Sequence, residues 1–312
     1  MKNNILLIGS SGFIGKKLKE KLSLKCNNLL KVTKKSFIDN LTTFSSNNSR
    51  LLSPSNLKKF NIIVNCAGEV NNDAFMINSN TTIIKKIIDN INHKCLIIHL
   101  SSCAVYGKSN FVKNLNFTEK NIIPNKNLES KYQSSKILAE KYIIKKSLIN
   151  KNFSYIILRP SQVIDKNMPN DAIRKLRYYS NKFIFIYFGF QKTIKSYVSL
   201  LDLVKAVEFI IKYHKKKNLI YNISQNIYLT EIVECLKDLD KFSIKIRFPL
   251  LLLKFFVIVC NKIKKIRYFN IPLTSSILDG LSTNSRFDAS LFLEHYPKFK
   301  FSNIYNEIKK IS

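Results

Sequence analysis

Through the first half of the chain, short apolar runs alternate with stretches whose apolar residues recur every three or four positions. The runs are "NILLIG", "NIIVNCAG", "CLIIHLSS" and "YIILRP"; the periodic stretches are "KKLKEKL", "TTIIKKIIDNI" and "KILAEKYIIKKSL". A run too short for a helix and apolar throughout fits a strand buried on both faces, whereas the periodic stretches bury one stripe of a helix. Their alternation predicts βαβ units and a parallel sheet covered by helices on both sides. The expected fold is therefore α/β, a Rossmann-type doubly wound sheet over residues 1–165. Beyond Ile164 the pattern loosens, although "YVSLLDLVKAVEFIIKY" and "LIYNIS" read as a helix and a strand, so 193–226 is expected to return to the sheet. Residues 166–192 and 227–312 are then expected to form a smaller C-terminal lobe that binds substrate. The longest apolar stretch, "FPLLLLKFFVIVC" (Phe248 to Cys260), contains Lys254 and falls short of the roughly 20 residues needed to cross a bilayer, which leaves a buried or an interfacial helix.

Composition changes this picture little. A chain of 312 residues with 46% hydrophobic content can bury a large core. Six cysteines without a CxxC pair and four scattered histidines show no zinc-like spacing, and reduced thiols point to the cytoplasm. The N-terminal apolar run "ILLIG" lacks the length and cleavage site of a signal peptide. Charge matters more. A formal net charge of +32 draws a protein toward nucleic acid, anionic lipid or phosphorylated substrates. The lysines are spread along the chain among many Asn and Ile, which favours a solvated basic surface, and no nucleic-acid-binding motif accompanies them.

Three of only seven glycines fall in "GSSGFIG", residues 9–15, between a predicted strand and a predicted helix. At such a turn glycine lets the chain bend and lets a pyrophosphate approach the backbone N–H groups of the helix N-terminus. Gly9, Gly12 and Gly15, with Phe13 and Ile14 opening the helix, thus read as a dinucleotide-binding turn.

The spacing GxxGxxG, together with "NCAG" (Asn65 to Gly68), Asn80, "SSCAVYG" (Ser101 to Gly107), "TE" (Thr118-Glu119), "YQSSKILAE" from Tyr132, "LRPSQV", "KSYVSLLDL" and "SRFDAS", resembles the extended short-chain dehydrogenase/reductase family, NAD-dependent epimerase/dehydratase branch. The resemblance implies that Ser102, Tyr132 and Lys136 are catalytic. Tyr132 and Lys136 share a helix face one turn apart, and Ser102 ends a strand where open α/β sheets display their chemistry. Tyr132 is expected to move a proton at a sugar hydroxyl, its pKa lowered by the nearby ammonium and the positive nicotinamide ring; Ser102 bonds the same oxygen, and Lys136 holds the cofactor ribose. Ala67, Gly68, Asn80 and Pro160 are implied further cofactor contacts.

Two departures narrow the reading. Dehydratases of this family carry an Asp-Glu pair after the catalytic hydroxyl residue; here Cys103 and Ala104 stand there, which disfavours loss of water. No acid lies between Glu20 and Asp39 to bond a ribose 2′-hydroxyl, and Thr33, Lys34 and Lys35 offer a hydroxyl and two cations for a 2′-phosphate, tilting the cofactor from NAD toward NADP. Ser102, Cys103, Gln162, Lys195, Ser196 and Arg286 are expected on the substrate side. Gln162 replaces a usual Asn, and Asp165 a usual glycine.

The expectation is a 4-epimerase acting on a nucleotide-diphosphate or lipid-linked sugar in surface polysaccharide synthesis. A 4-keto-sugar reductase using NADPH is the alternative, and a non-catalytic RNA-associated relative is the reading from another class. The expected setting is cytoplasmic, with peripheral contact to the anionic inner face of the membrane and a homodimer both left open.

Overall fold

The computed structural model describes residues 4–24, 28–32, 54–107, 116–121, 130–168, 172–189, 192–214, 216–238, 243–249, 251–252, 255 and 280–311. Strands β1 (Asn4–Ile8), β2 (Asn28–Val32), β3 (Ile62–Asn65), β4 (Cys95–Leu100), β6 (Phe153–Pro160) and β10 (Leu219–Ile223) form one six-stranded sheet in the order β10-β6-β4-β3-β1-β2. Every pairing in it is parallel. The apolar runs become interior strands because alternate residues face opposite layers, and both layers are dry. In β1, Ile5 and Leu7 pack toward one cluster and Leu6 and Ile8 toward the other. The first cluster is closed by helices α1 (Phe13–Ser23) and, further along, Leu200–Tyr213, through Leu18, Leu22, Leu203, Val207 and Ile210. The second is closed by α2 (Ile83–Asp89) and α3 (Lys131–Ile149), through Ile84, Ile87, Ala139 and Ile143. Each of the buried Leu, Ile and Val side chains contributes on the order of 1.5–3 kcal/mol relative to an exposed one.

Three smaller sheets lie beyond this layer. Strands β7 (Gln162–Ile164), β9 (Ile194–Ser199) and β11 (Gln225–Tyr228) pair in the order β11-β9-β7; β8 (Ile184–Phe188) pairs with β12 (Ile244–Phe248); and β5 (Asn116–Phe117) pairs with β13 (Arg286–Phe287). A further core of Ile164, Leu176, Tyr187, Tyr197, Ile232 and Ile308 ties the first two of these sheets to the C-terminal helix Ile304–Lys309. Of the apolar stretch Phe248 to Cys260, the described residues Leu251, Leu252 and Phe255 are exposed, so the buried-helix alternative does not hold for them. No described helix is long and apolar enough to cross a membrane.

Candidate active site

The chain leaves β1 toward β2 on one side and returns to β3 on the other, so the sheet order reverses between β1 and β3. Open α/β sheets bind ligands at the carboxyl ends of the strands beside such a reversal. Gly9 caps β1 with φ +87°, and a Cβ there would sit 2.5 Å from the Ala67 nitrogen at the end of β3. A Cβ on Gly15 would lie 1.9 Å from the Gly9 oxygen, so that glycine seats α1 on the turn. Gly12 differs. Its φ of −73° and ψ of 171° suit any residue, and the nearest atom to an added Cβ is the Gly9 oxygen at 3.4 Å. No neighbour in the chain requires glycine there, which is what a position kept bare for a ligand looks like. The N-cap Gly12 makes no side-chain cap bond to α1, which leaves the N-terminal N–H groups to donate to an anion, so the turn fits the pyrophosphate of a dinucleotide.

Next to this turn stand the three reactive side chains. Ser102 follows β4 and caps the short helical turn Cys103–Tyr106, its Oγ accepting from the Ala104 N–H at 3.1 Å. Ser130 caps α3 by accepting from the Gln133 N–H, which starts the helix just ahead of Tyr132. Ser102 lies close enough to Tyr132 to pull its pKa down. One turn on, the Lys136 ammonium donates to the Leu100 carbonyl at 2.9 Å and stands 5.9 Å from the Tyr132 ring centre. Burial lowers the Lys136 pKa to about 8, against the opposing pull of Cys66 and Glu140. Burial raises the Tyr132 pKa most, and Ser102 offsets this only in part, which leaves the expected lowering to the ammonium together with the positive nicotinamide ring of a bound cofactor.

A second layer fixes these groups. The Glu140 carboxylate, one turn beyond Lys136, accepts from Ser101 Oγ at 2.5 Å and from Arg159 Nε and Nη2 at 3.0 and 2.6 Å. Arg159 Nη1 donates to the Tyr106 hydroxyl, which donates to Asn222 Oδ1. Asn80 accepts from the Glu69 N–H and donates to the Glu69 carbonyl and Ser135, pinning the loop after β3 to α3. His99 pairs with Asn65, and burial holds it well below its ordinary pKa.

Residues 5–224 match the NAD dependent epimerase/dehydratase family. The chain belongs to that family. Among solved structures it is similar to RMD from Pseudomonas aeruginosa complexed with NADPH, at 16% identity and a TM-score of 0.63 over 99% of this chain and 97% of that one. It is also similar to UDP-glucuronic acid 4-epimerase from Bacillus cereus in complex with NAD (14% identity, TM-score 0.65, covering 99% and 96%). A third is UDP-glucose 4-epimerase from Thermotoga maritima with UDP-glucose (16% identity, TM-score 0.65, covering 99% and 97%). No curated protein matches the sequence.

Within this family member, Ser102, Tyr132, Lys136, Gly9, Gly12, Gly15, Ala67 and Gly68 come together at the carboxyl ends of β1, β3 and β4. Phe13 and Ile14 open α1 and pack partly buried on the core, and Pro160 ends β6. The Cys103 thiol turns inward to the Arg159 carbonyl at 3.1 Å. Lys195 is buried and donates to the carbonyls of Gly280 and Thr283, and Ser196 bonds Asn226 and the Ser285 carbonyl. These two side chains hold the segment 280–285 against β9. Gln162 and Arg286 are exposed, on β7 and β13. Thr33, Lys34 and Lys35 lie outside the described residues. Sequence reasoning missed Glu140 and Arg159. The signals were an acid eight residues after Tyr132, on the same helix face, and one arginine inside the apolar run "YIILRP".

Proposed function

We propose that this protein interconverts or reduces sugars at C4, most favourably as a 4-epimerase acting on a sugar carried by a nucleotide or lipid diphosphate in surface polysaccharide synthesis. The observation that carries the reading is the buried Lys136 ammonium, fixed on the Leu100 carbonyl two residues before Ser102 and 5.9 Å from the Tyr132 ring centre. A bound NAD or NADP supplies the hydride acceptor and donor. The side chains handle the proton: Tyr132, its phenolate favoured by the Lys136 ammonium and the positive nicotinamide ring of a bound cofactor, takes it from the C4 hydroxyl during oxidation and returns it to the ketone oxygen during reduction, while Ser102 bonds that oxygen throughout. Lys136 holds the ribose edge and the Tyr132 ring in register. Cys103 and Ala104 provide no acid or base beside Ser102, so elimination of water has no proton carrier there.

One observation favours the reductase alternative. Thr33, Lys34 and Lys35 supply a hydroxyl and two cations that can receive the 2′-phosphate of NADPH, the reductant such a reaction consumes. Incubation with UDP-hexoses, followed by chromatography of the C4 epimers and by absorbance at the reduced-nicotinamide band, separates the two. Epimers without net cofactor consumption support the epimerase. Consumption of NADPH only with a 4-keto sugar supports the reductase. Tyr132→Phe is expected to lower turnover by about 10²–10⁴-fold while leaving dinucleotide affinity intact; near-wild-type turnover would overturn the mechanism.

A further inference from the structure

The ribbon formed by β8 and β12 is built inside out. Its parallel register aligns Ile184 with Ile244, Ile186 with Ile246 and Phe188 with Phe248. Successive side chains in a strand point to opposite faces. Phe185 and Tyr187 therefore turn to the lobe core, and Lys245 and Arg247, opposite them in the register, take the same face: the Arg247 guanidinium lies 5.3 Å from the Tyr187 ring centre, and Lys245 pairs with Glu234. The outward face is left with Ile184, Ile186, Ile244, Ile246 and Phe248, all exposed. A one-sided sheet ordinarily turns polar residues to water. Phe183 precedes the ladder, and Leu251, Leu252 and Phe255 follow it, exposed by 81%, 56% and 68%. This extends the apolar surface well past the isolated exposed residues that any protein shows.

The chain's charge favours an anionic partner: its formal net charge is +32, and from Ser243 to Arg267 the sequence has seven Lys and Arg and no Asp or Glu, of which Lys245 and Arg247 turn to the other face of the ribbon and the remaining five lie outside the described residues. Ahead of the ribbon, the helix Ala172–Ser180 leads into β8 with Tyr178 and Tyr179 exposed and the Lys182 ammonium 4.3 Å from the Tyr178 ring centre. Apolar side chains flanked by tyrosines and cations are the makeup of a surface that inserts shallowly among anionic headgroups. We propose that the outer face of the β8–β12 ribbon, continued by Leu251, Leu252 and Phe255, docks this enzyme peripherally on an anionic bilayer. The consequence for substrate, which rests on the C4 oxidoreduction reading above, is that the sugar it serves is carried on a lipid diphosphate within reach of that bilayer.

Flotation of the full chain with vesicles tests the docking without reference to activity. The expected result is co-flotation with phosphatidylcholine vesicles containing phosphatidylglycerol at low salt, loss of binding by at least tenfold at high salt, and no flotation with phosphatidylcholine alone. Ile186→Ser with Ile246→Ser, and separately Leu251→Ser with Leu252→Ser, should each reduce co-flotation by at least tenfold. Thermal unfolding and NADPH binding, measured on the same preparations, should remain as in the wild type. A wild-type chain that stays in the soluble fraction at low salt overturns the proposal. So do serine variants that float as well as the wild type, or a face shown by light scattering to close a dimer without any flotation. Turnover of soluble UDP-hexoses and of the same hexoses carried on a polyprenyl diphosphate, assayed in parallel, keeps the readings apart: docking without turnover of either sinks the activity alone, turnover of the UDP-hexose only sinks the lipid-carried substrate, and turnover without docking sinks the membrane surface alone.

Discussion

Gly12 and Gly15 are three residues apart in one motif, yet they are glycine for different reasons. Alanine at Gly15 drives a methyl into the Gly9 carbonyl, backbone against backbone, and no side chain can move to relieve it. Gly15→Ala is expected to cost about 3 kcal/mol or more, seen as an earlier urea midpoint. Alanine at Gly12 meets no such wall and changes only the bare helix start, a cost of about 1 kcal/mol or less. Its methyl projects where the pyrophosphate is expected, so Gly12→Ala should weaken NADPH binding by at least tenfold with the fold retained; unchanged affinity by titration would remove the phosphate from this turn. Lys136 makes a prediction in pH. Its folded pKa of about 8 lies below the ordinary 10.5, so between these values the unfolded chain binds more protons and stability rises with pH. The burden is fully present below about pH 8. Without cofactor, Lys136→Met should therefore exceed the wild type in melting temperature most below pH 8, and the gap should close toward pH 10; a gap independent of pH would mean the ammonium is not desolvated.

Helix α3 acts as one element because Tyr132, Lys136 and Glu140 follow each other at four-residue spacing on its inner face. The first two are the groups proposed for the chemistry, and the third locks the helix to the strand ends, through Ser101 beside Ser102 and through Arg159 of β6. Burial opposes the charge on Arg159, but the Glu140 carboxylate outweighs it and keeps the guanidinium ionised. Removing one member of such a pair leaves the other charged in an apolar setting. Glu140→Gln is therefore expected to destabilise by about 3–5 kcal/mol in urea unfolding. A loss under about 1 kcal/mol would show that water reaches the pair. The alternation of apolar runs with helical stretches made the strands and helices of the sheet legible, since period and burial are local signals. The Glu140–Arg159 contact was not, because its members lie 19 residues apart and meet only once β6 and α3 pack together.

At the scale of the molecule, cofactor choice is read through mass action. A dinucleotide that binds only the folded chain stabilises it by about 2.7 kcal/mol at a hundred times its dissociation constant. If Thr33, Lys34 and Lys35 receive a 2′-phosphate, NADPH should raise the melting temperature more than NADH at equal concentration, and Lys34→Glu with Lys35→Ala should reverse the order. Equal shifts in the wild type would reduce those lysines to solvated surface within a chain of net charge +32.

The sequence by itself determined the βαβ alternation, the glycine turn and the membership of Ser102, Tyr132 and Lys136 in one site, because each rests on short-range spacing or on a motif whose residues are read in order. Only the tertiary structure decided where Lys195 and Ser196 spend their polar atoms. Their partners at 280–285 come from a segment some 85 residues away that folds back across β9. It also decided that the isoleucines of β8 and β12 face out. Each strand alone permits either face inward, and the choice falls to packing: Phe185 and Tyr187 fill the lobe core on one side, so the residues between them are turned to the surface.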